Sequence, residues 1–166
     1  MKEQSNMERV NRIWNHPVYQ ESLHKIQELE QERIFCRHDW QHFMDVARLA
    51  YIENLEQGLG ISKEIIYAAA LLHDIGRHLQ YLEGVPHHKG GVRLAVPILE
   101  ECGFRKEESI LVLEAIGGHR DTETGSKASL AGLIYRADKA SRCCFACKAY
   151  KECNWSDEKK NKVILA

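Results

Sequence analysis

Apolar residues recur at near-helical spacing along almost the whole chain, and no segment carries a persuasive period of two, so the sequence reads as all-helical. The first predicted helix runs from Tyr19 to Phe35, with Leu23, Ile26, Leu29 and Ile34 among charged residues and Pro17 near its start, where proline is tolerated. It is expected to lie across the outside of the core. A second helix, about Trp40 to Gly58, places His42, Val46, Leu49 and Glu53 on one broad face, so His42 points inward. Ser62 is placed to cap a third helix that carries Ile65, Ile66, Ala69 and Leu72 and ends near His73-Asp74 and Gly76.

Beyond that pair, Leu79 to Lys89, with Gly84 and Pro86, reads as a loop over a pocket. Gly90 to Glu101 is predicted as a helix bent at Pro97 and Lys106 to Ile116 as another, stopped by Gly117-Gly118 so that His119 sits at an exposed helix end. A long last helix from Ser129 to Tyr150 follows, and the final dozen residues are polar enough to fray.

With 166 residues, 44% of them apolar, the chain suits a single domain, 1–166, with a continuous core. The 23 basic and 24 acidic residues give a formal charge of −1, so composition supplies no field for a nucleic acid polymer or an acidic membrane. No apolar run approaches a membrane span, and Met1–Asn6 leads into polar sequence, not a signal's apolar segment; a cytoplasmic location is expected. A homodimer through the first or last helix is compatible with the sequence, although no sustained heptad specifies one.

His42, the pair His73-Asp74 and Asp138 lie far apart in sequence on predicted helices and cannot form a local metal loop. Asp138 shares a helix face with Leu130 and Ile134, so its carboxylate needs a partner. Taken singly, each residue has an ordinary reading: an ion pair for Asp138, a satisfied core histidine at 42, a local cap for Asp74. One divalent cation accounts for all four, since it offsets two carboxylates while accepting two imidazoles. A mixed nitrogen and oxygen donor set suits Mn, Fe, Ni, Co, Zn or Mg.

In this order and context the residues resemble the HD superfamily of metal-dependent phosphohydrolases. His42-Phe43-Met44-Asp45-Val46-Ala47 is similar to the family's first histidine helix, His73-Asp74-Ile75-Gly76-Arg77 to its central motif, and Ala137-Asp138-Lys139 to its distal segment. The resemblance implies an all-α HD-domain bundle of about five core helices plus peripheral ones. It implies hydrolysis of a phosphomonoester or phosphodiester in a small molecule or nucleotide, with one or two divalent ions. His87, within His87-His88-Lys89-Gly90-Gly91, and His119 are similar to the extra histidines of some members, which gives a six-residue set in which Asp74 can bridge. Their other reading is as surface or substrate-binding histidines. Arg77 is a candidate phosphate clamp, with Lys139 and Arg142 as further donors. The residues after the pair, Ile75-Gly76-Arg77-His78, lack the acidic pair of the superfamily's alarmone hydrolases. His38-Asp39, one turn before His42, reads as pocket edge or support for the ligands. A helical regulatory protein that binds metal or ligand without hydrolysis is the alternative.

Six cysteines without an export signal read as thiols. Cys144, Cys147 and Cys153, joined by Cys36 through tertiary contact, could hold a structural zinc or an iron–sulfur centre; buried packing thiols are the other reading. Cys102 stands apart and reads as packing. There is no glycine-rich phosphate loop, zinc-finger spacing or basic-aromatic stripe.

Overall fold

The structure, a computed structural model, describes residues 7–166; the polar opening Met1–Asn6 lies outside the described residues. Helices α1 (Glu8–Asn15), α2 (Pro17–Leu29), α3 (Trp40–Glu56), α4 (Lys63–Leu72), α5 (Arg77–Glu83), α6 (His87–Glu101), α7 (Lys106–Gly118) and α8 (Leu130–Ala140) follow one another, with short 3-10 turns at Thr122–Ser126 and Cys144–Ala146. The described residues contain no strand, and none of their helices is long and apolar enough to cross a membrane.

Helix α4 is the hub, packed against α1, α3, α7 and α8. Its residues Ile65, Ile66, Ala68, Ala69, Ala70, Leu71 and Leu72 are all buried, as a helix apolar on every side must be. Phe43, Val46, Ala47 and Ala50 of α3 and Leu133, Ile134 and Ala137 of α8 close on it, and α6 and α7 complete the five-helix core with Ile98, Leu99, Val112 and Ile116. The alanines of α4 let its neighbours approach closely, which brings its C-terminal end into contact range of three other helices. That end carries His73 and Asp74.

Several boundaries differ from the sequence expectation. The Tyr19–Phe35 helix is instead α2, ending at Leu29, with α1 before it. His16 separates the two, since Pro17 has no N–H to continue α1 but fits the first position of α2. Ser62 precedes α4 without capping it through its side chain. The expected loop from Leu79 to Lys89 is mostly helix, with only residues 84–86 between α5 and α6; Gly84, at φ 69°, ends α5 and Pro86 precedes α6. Gly117 and Gly118 do not stop α7 but form its last turn.

The long last helix ends at Ala140. The Asn161 amide donates to the carbonyls of Lys139 (2.7 Å) and Arg142 (2.8 Å), and so satisfies acceptors that a continuing helix would have used. The tail is therefore docked at this point and does not fray throughout. Lys160 is also anchored, its Nζ donating to the Tyr150 carbonyl at 3.0 Å.

Outside the core, Arg9 ties α1 to α4 and α7. Its backbone N–H and Nε donate to Glu64 (2.8 and 2.7 Å), its Nη1 donates to Glu108 (2.6 Å), and its guanidinium lies 4.4 Å from the Phe104 ring centroid. Hydrogen bonding from Arg9 holds the Glu108 carboxyl down at about 2 against the opposing effect of burial. Arg9→Ala removes the Arg9 bonds from Glu64 and leaves Glu108 with Arg105 alone, and both carboxylate side chains are only about a tenth exposed. We expect a loss of about 2–3 kcal/mol in a urea melt at neutral pH. Because the folded Glu108 value is depressed, its stabilisation is present above the usual carboxylate range and lost as pH falls toward about 2. The variant should show a flatter acid limb; an unchanged midpoint and limb would remove this role.

Candidate metal centre

The central motif sits where α4 gives way to a tight turn. His73 caps the C-terminal end of α4, and its Nδ1 lies 2.7 Å from the Ala70 carbonyl, which fixes that nitrogen as the N–H donor. In the neutral imidazole Nε2 therefore carries the lone pair, and it is fully buried with no hydrogen-bond partner. The nearest oxygens, Asp74 Oδ2 at 3.3 Å and Asp138 Oδ1 at 3.8 Å, face it without hydrogen-bond alignment.

Two further histidines repeat the device. His119 Nδ1 is 2.6 Å from the Ile116 carbonyl, and His87 Nδ1 is 2.5 Å from Gln80 Oε1. Both Nε2 atoms are then lone pairs, yet they stand 3.1 Å apart and 3.3 and 3.4 Å from Asp74 Oδ1. Two imidazole lone pairs and a carboxylate oxygen in mutual contact repel one another unless a cation lies among them. His42 Nε2 completes the other side, 3.3 Å from Asp138 Oδ1 and 3.8 Å from Asp74 Oδ2.

The donor atoms form two sets, His42, His73, Asp74 and Asp138, and Asp74, His87 and His119, each with its members within 4.8 Å of one another. Asp74 belongs to both and turns one oxygen to each. Second partners on the histidines, neutral donors, a buried Asp74 and a largely covered Asp138 fit divalent cations better than they fit an ordinary polar core. The protonation balance points the same way. Burial disfavours charge on His73, but the adjacent Asp74 and Asp138 carboxylates raise its imidazole to about 10. Asp74, opposed by burial, is held well below the usual carboxylate range by His73, Arg77 and His38. Without a metal, the site takes up a proton as its cation. His87, by contrast, is driven down to about 3, chiefly by burial, and keeps its lone pair.

His119, expected at an exposed helix end, is 2% exposed; α7 extends through the two glycines and delivers it to the interior. His88 joins neither donor set. Arg77 Nε donates to Asp74 Oδ1 (3.2 Å), Arg142 Nη2 lies 3.2 Å from His42 Nε2, and Lys139 Nζ donates to Asp138 Oδ2 (3.2 Å). The three cations thus border the centre, and a cavity of about 640 Å³ opens over it, lined also by Arg120 and Tyr135.

Glu30, absent from the sequence expectation, supports the site from below. This 2% exposed carboxylate accepts from the His38 backbone N–H (2.7 Å), from His38 Nδ1 (2.6 Å) and from the Tyr81 hydroxyl (2.7 Å). Burial would raise its pKa, but the His38 and Tyr81 bonds hold it at about 2. His38 Nε2 is thereby aimed at Asp74 Oδ2, 3.7 Å away.

A helical bundle with two His/Asp donor sets that share one carboxylate has the ligands to hold divalent cations at its centre. Residues 39–143 match the HD domain family, and the chain belongs to that family. It is 46% identical over 155 residues to an uncharacterized protein of Clostridium beijerinckii, covering 93% of this chain and 97% of that one. It is 30% identical over 126 residues to ribonuclease Y of Oleidesulfovibrio alaskensis, covering 76% of this chain but 22% of that protein. The fold is shared with a predicted HD superfamily hydrolase from an uncultured Thermotogales bacterium, with a TM-score of 0.61 at 23% identity, covering 85% and 80% of the two chains.

Proposed function

We propose that the protein is a metal-dependent phosphohydrolase that cleaves a phosphomonoester or phosphodiester bond in a small molecule or nucleotide. The observation that carries this reading is Asp74, whose two oxygens face separate pairs of imidazole lone pairs beneath a cation-lined cavity. His42, His73, Asp74 and Asp138 would hold one cation, and Asp74, His87 and His119 a second. Divalent ions held there would acidify water and offset charge on phosphoryl oxygens.

The chain's own residues supply the rest. Arg77 binds and orients the phosphoryl group with a planar, two-pronged donor, and Lys139 and Arg142 bring further positive charge from α8 and the turn after it. Glu30 orients His38, whose Nε2 faces Asp74 Oδ2 from the buried side at 3.7 Å and favours its charged form. A cavity of this volume suits a small substrate.

The test is to strip the protein of metal, reload it with Mn, Fe, Co, Ni, Zn or Mg, and assay phosphomonoesters, phosphodiesters, nucleotides and a short oligoribonucleotide. The ribonuclease Y relative motivates the last of these. Full metal loading with no turnover on any ester would overturn the proposal in favour of a regulatory binder. Within the same assay, Arg77→Ala should lower kcat/KM on the order of 10–100-fold while the metal content stays unchanged. Loss of metal in parallel with activity would make Arg77 part of the metal site's support, not a substrate clamp.

A further inference from the structure

Four cysteines bound the part of the cavity wall formed by the loop before α3 and the turns after α8. Cys144 opens the 3-10 turn, Cys147 follows it, and the Cys153 N–H donates to the Ala149 carbonyl at 3.0 Å. Cys36 comes from the loop between α2 and α3. The two segments are fastened together: Arg142 Nη1 donates to the Arg37 carbonyl at 3.1 Å, and Phe35 and Arg37 share a surface recess with Lys148, Ala149 and Glu152. All four cysteines line the cavity described above. Burial raises the Cys36 thiol, the Arg142 guanidinium opposes this, and the nearby Cys144, Cys147 and Cys153 thiols raise it further.

Cys144 is buried, but the other three are not arranged as packing. Cys102, a packing cysteine, is 2% exposed, whereas Cys36, Cys147 and Cys153 are only half-buried and open to the cavity. Nor are any of the six joined in a disulfide. The expected α-helical placement of Cys144 and Cys147 is replaced by a 3-10 turn that Cys144 opens and Cys147 follows, so the Cys144-x2-Cys147-x5-Cys153 run is not strung along one α-helix.

We infer that Cys36, Cys144, Cys147 and Cys153 hold a thiolate-bound metal centre, and that their spacing suits an iron–sulfur cluster better than one zinc ion. A tetrahedral zinc with bonds of about 2.3 Å draws its sulfurs to within about 3.8 Å of one another. Among the described residues no three cysteine sulfurs lie within 4.8 Å of one another. A cluster interposes several irons and sulfides and takes its ligands from farther apart. Thiolates also need compensating cations, and Arg33, Arg142, Lys159 and Lys160 line the same cavity. Such a centre joins the segment leading into His42 to the segment leaving Asp138, and so braces the His/Asp donors from both ends of the chain.

The test uses the full chain purified without oxygen, with iron, acid-labile sulfide and zinc measured in the wild type, Asp74→Ala, Cys36→Ser, Cys147→Ser and, as a control, Cys143→Ser, whose thiol is exposed. We expect iron and sulfide in equal amounts, with visible charge-transfer absorption, retained in Asp74→Ala and Cys143→Ser and lost in the Cys36 and Cys147 variants. Zinc without sulfide in the same mutational pattern would overturn the cluster and leave a single-ion site. Metal content unchanged by Cys147→Ser, or abolished by Asp74→Ala, would overturn the centre itself. If the cysteine variants do not fold, a mercurial reagent added to the wild type decides: blocking the thiols should release the iron, and retention of all metal after complete blockade overturns the inference.

Discussion

Asp74→Ala is expected to empty both halves of the donor cluster at once and to lower turnover on the order of 10³-fold, about 4 kcal/mol of transition-state stabilisation. Among the described residues no other belongs to both sets, and no other carboxylate faces both imidazole pairs. His119→Ala should by comparison reduce metal content in one half only. Retention of the wild-type metal-to-protein ratio by Asp74→Ala would sink the shared-carboxylate reading. The metal-free protein gives an independent measurement. His73, raised to about 10, contributes stability that is fully present below its unfolded value of about 6.5 and is lost as pH rises through about 10. Asp74, held low, contributes stability that is present above the usual carboxylate range and is lost as pH falls. Removing Asp74 weakens both effects, so the metal-free variant should show a flatter dependence of its urea midpoint on pH in both directions.

A second large effect is expected from a residue that carries no chemistry. A Cβ at Gly76 would collide with the His87 carbonyl oxygen and the Gly91 nitrogen, with the Gly90 carbonyl carbon at 2.8 Å. All three are backbone atoms of α6, so a rotamer change cannot relieve the overlap; α6 must move, and His87 with it. Overpacking ordinarily costs about 1–3 kcal/mol, and a collision with backbone belongs at the upper end or beyond. Gly76→Ala should therefore lower Tm by roughly 6–12 °C or more for a chain of this size. It should also weaken the His87/His119 set in preference to the His42/His73 set. Equal weakening of both, or a Tm within about 2 °C of wild type, would show that the close approach of Gly76, at the start of α5, to α6 does not position His87.

Helical periodicity suffices for α3, α4 and α7 because their buried faces are long enough to repeat. It is insufficient for α5, whose seven residues run directly into Gly84 and Pro86 and so carry turn signals beside a short apolar face. The end of α8 has no local signal at all: the chain after Ala140 contains no glycine or proline before Trp155, and the stop is supplied by an amide about twenty residues downstream. The site divides in the same way. His42, His73, Asp74, His87, His119 and Asp138 are recognisable as candidates through their order and local contexts, and the structure brings their donor atoms together. Glu30 is not recognisable, since a glutamate at the end of an amphipathic helix is ordinarily solvated. Only His38 and Tyr81, arriving from other elements, reveal its purpose.

The Asn161 cap also sets an order of assembly. Helix α8 presents Asp138 to the imidazoles; Ser141 takes the Ala137 and Asp138 carbonyls, but the Lys139 carbonyl of its last turn and the Arg142 carbonyl just beyond are bonded by residue 161. As the chain leaves the ribosome, His42, His73, Asp74, His87 and His119 have all emerged before the segment that closes the helix bearing the last carboxylate. A nascent chain arrested just short of that asparagine would hold a nearly complete set of imidazoles around Asp74 while the helix bearing Asp138 still lacked its terminal bonds. A chain ending before Asn161 is therefore expected to lose metal from the His42/His73 set, which needs Asp138, more readily than from the Asp74, His87 and His119 set.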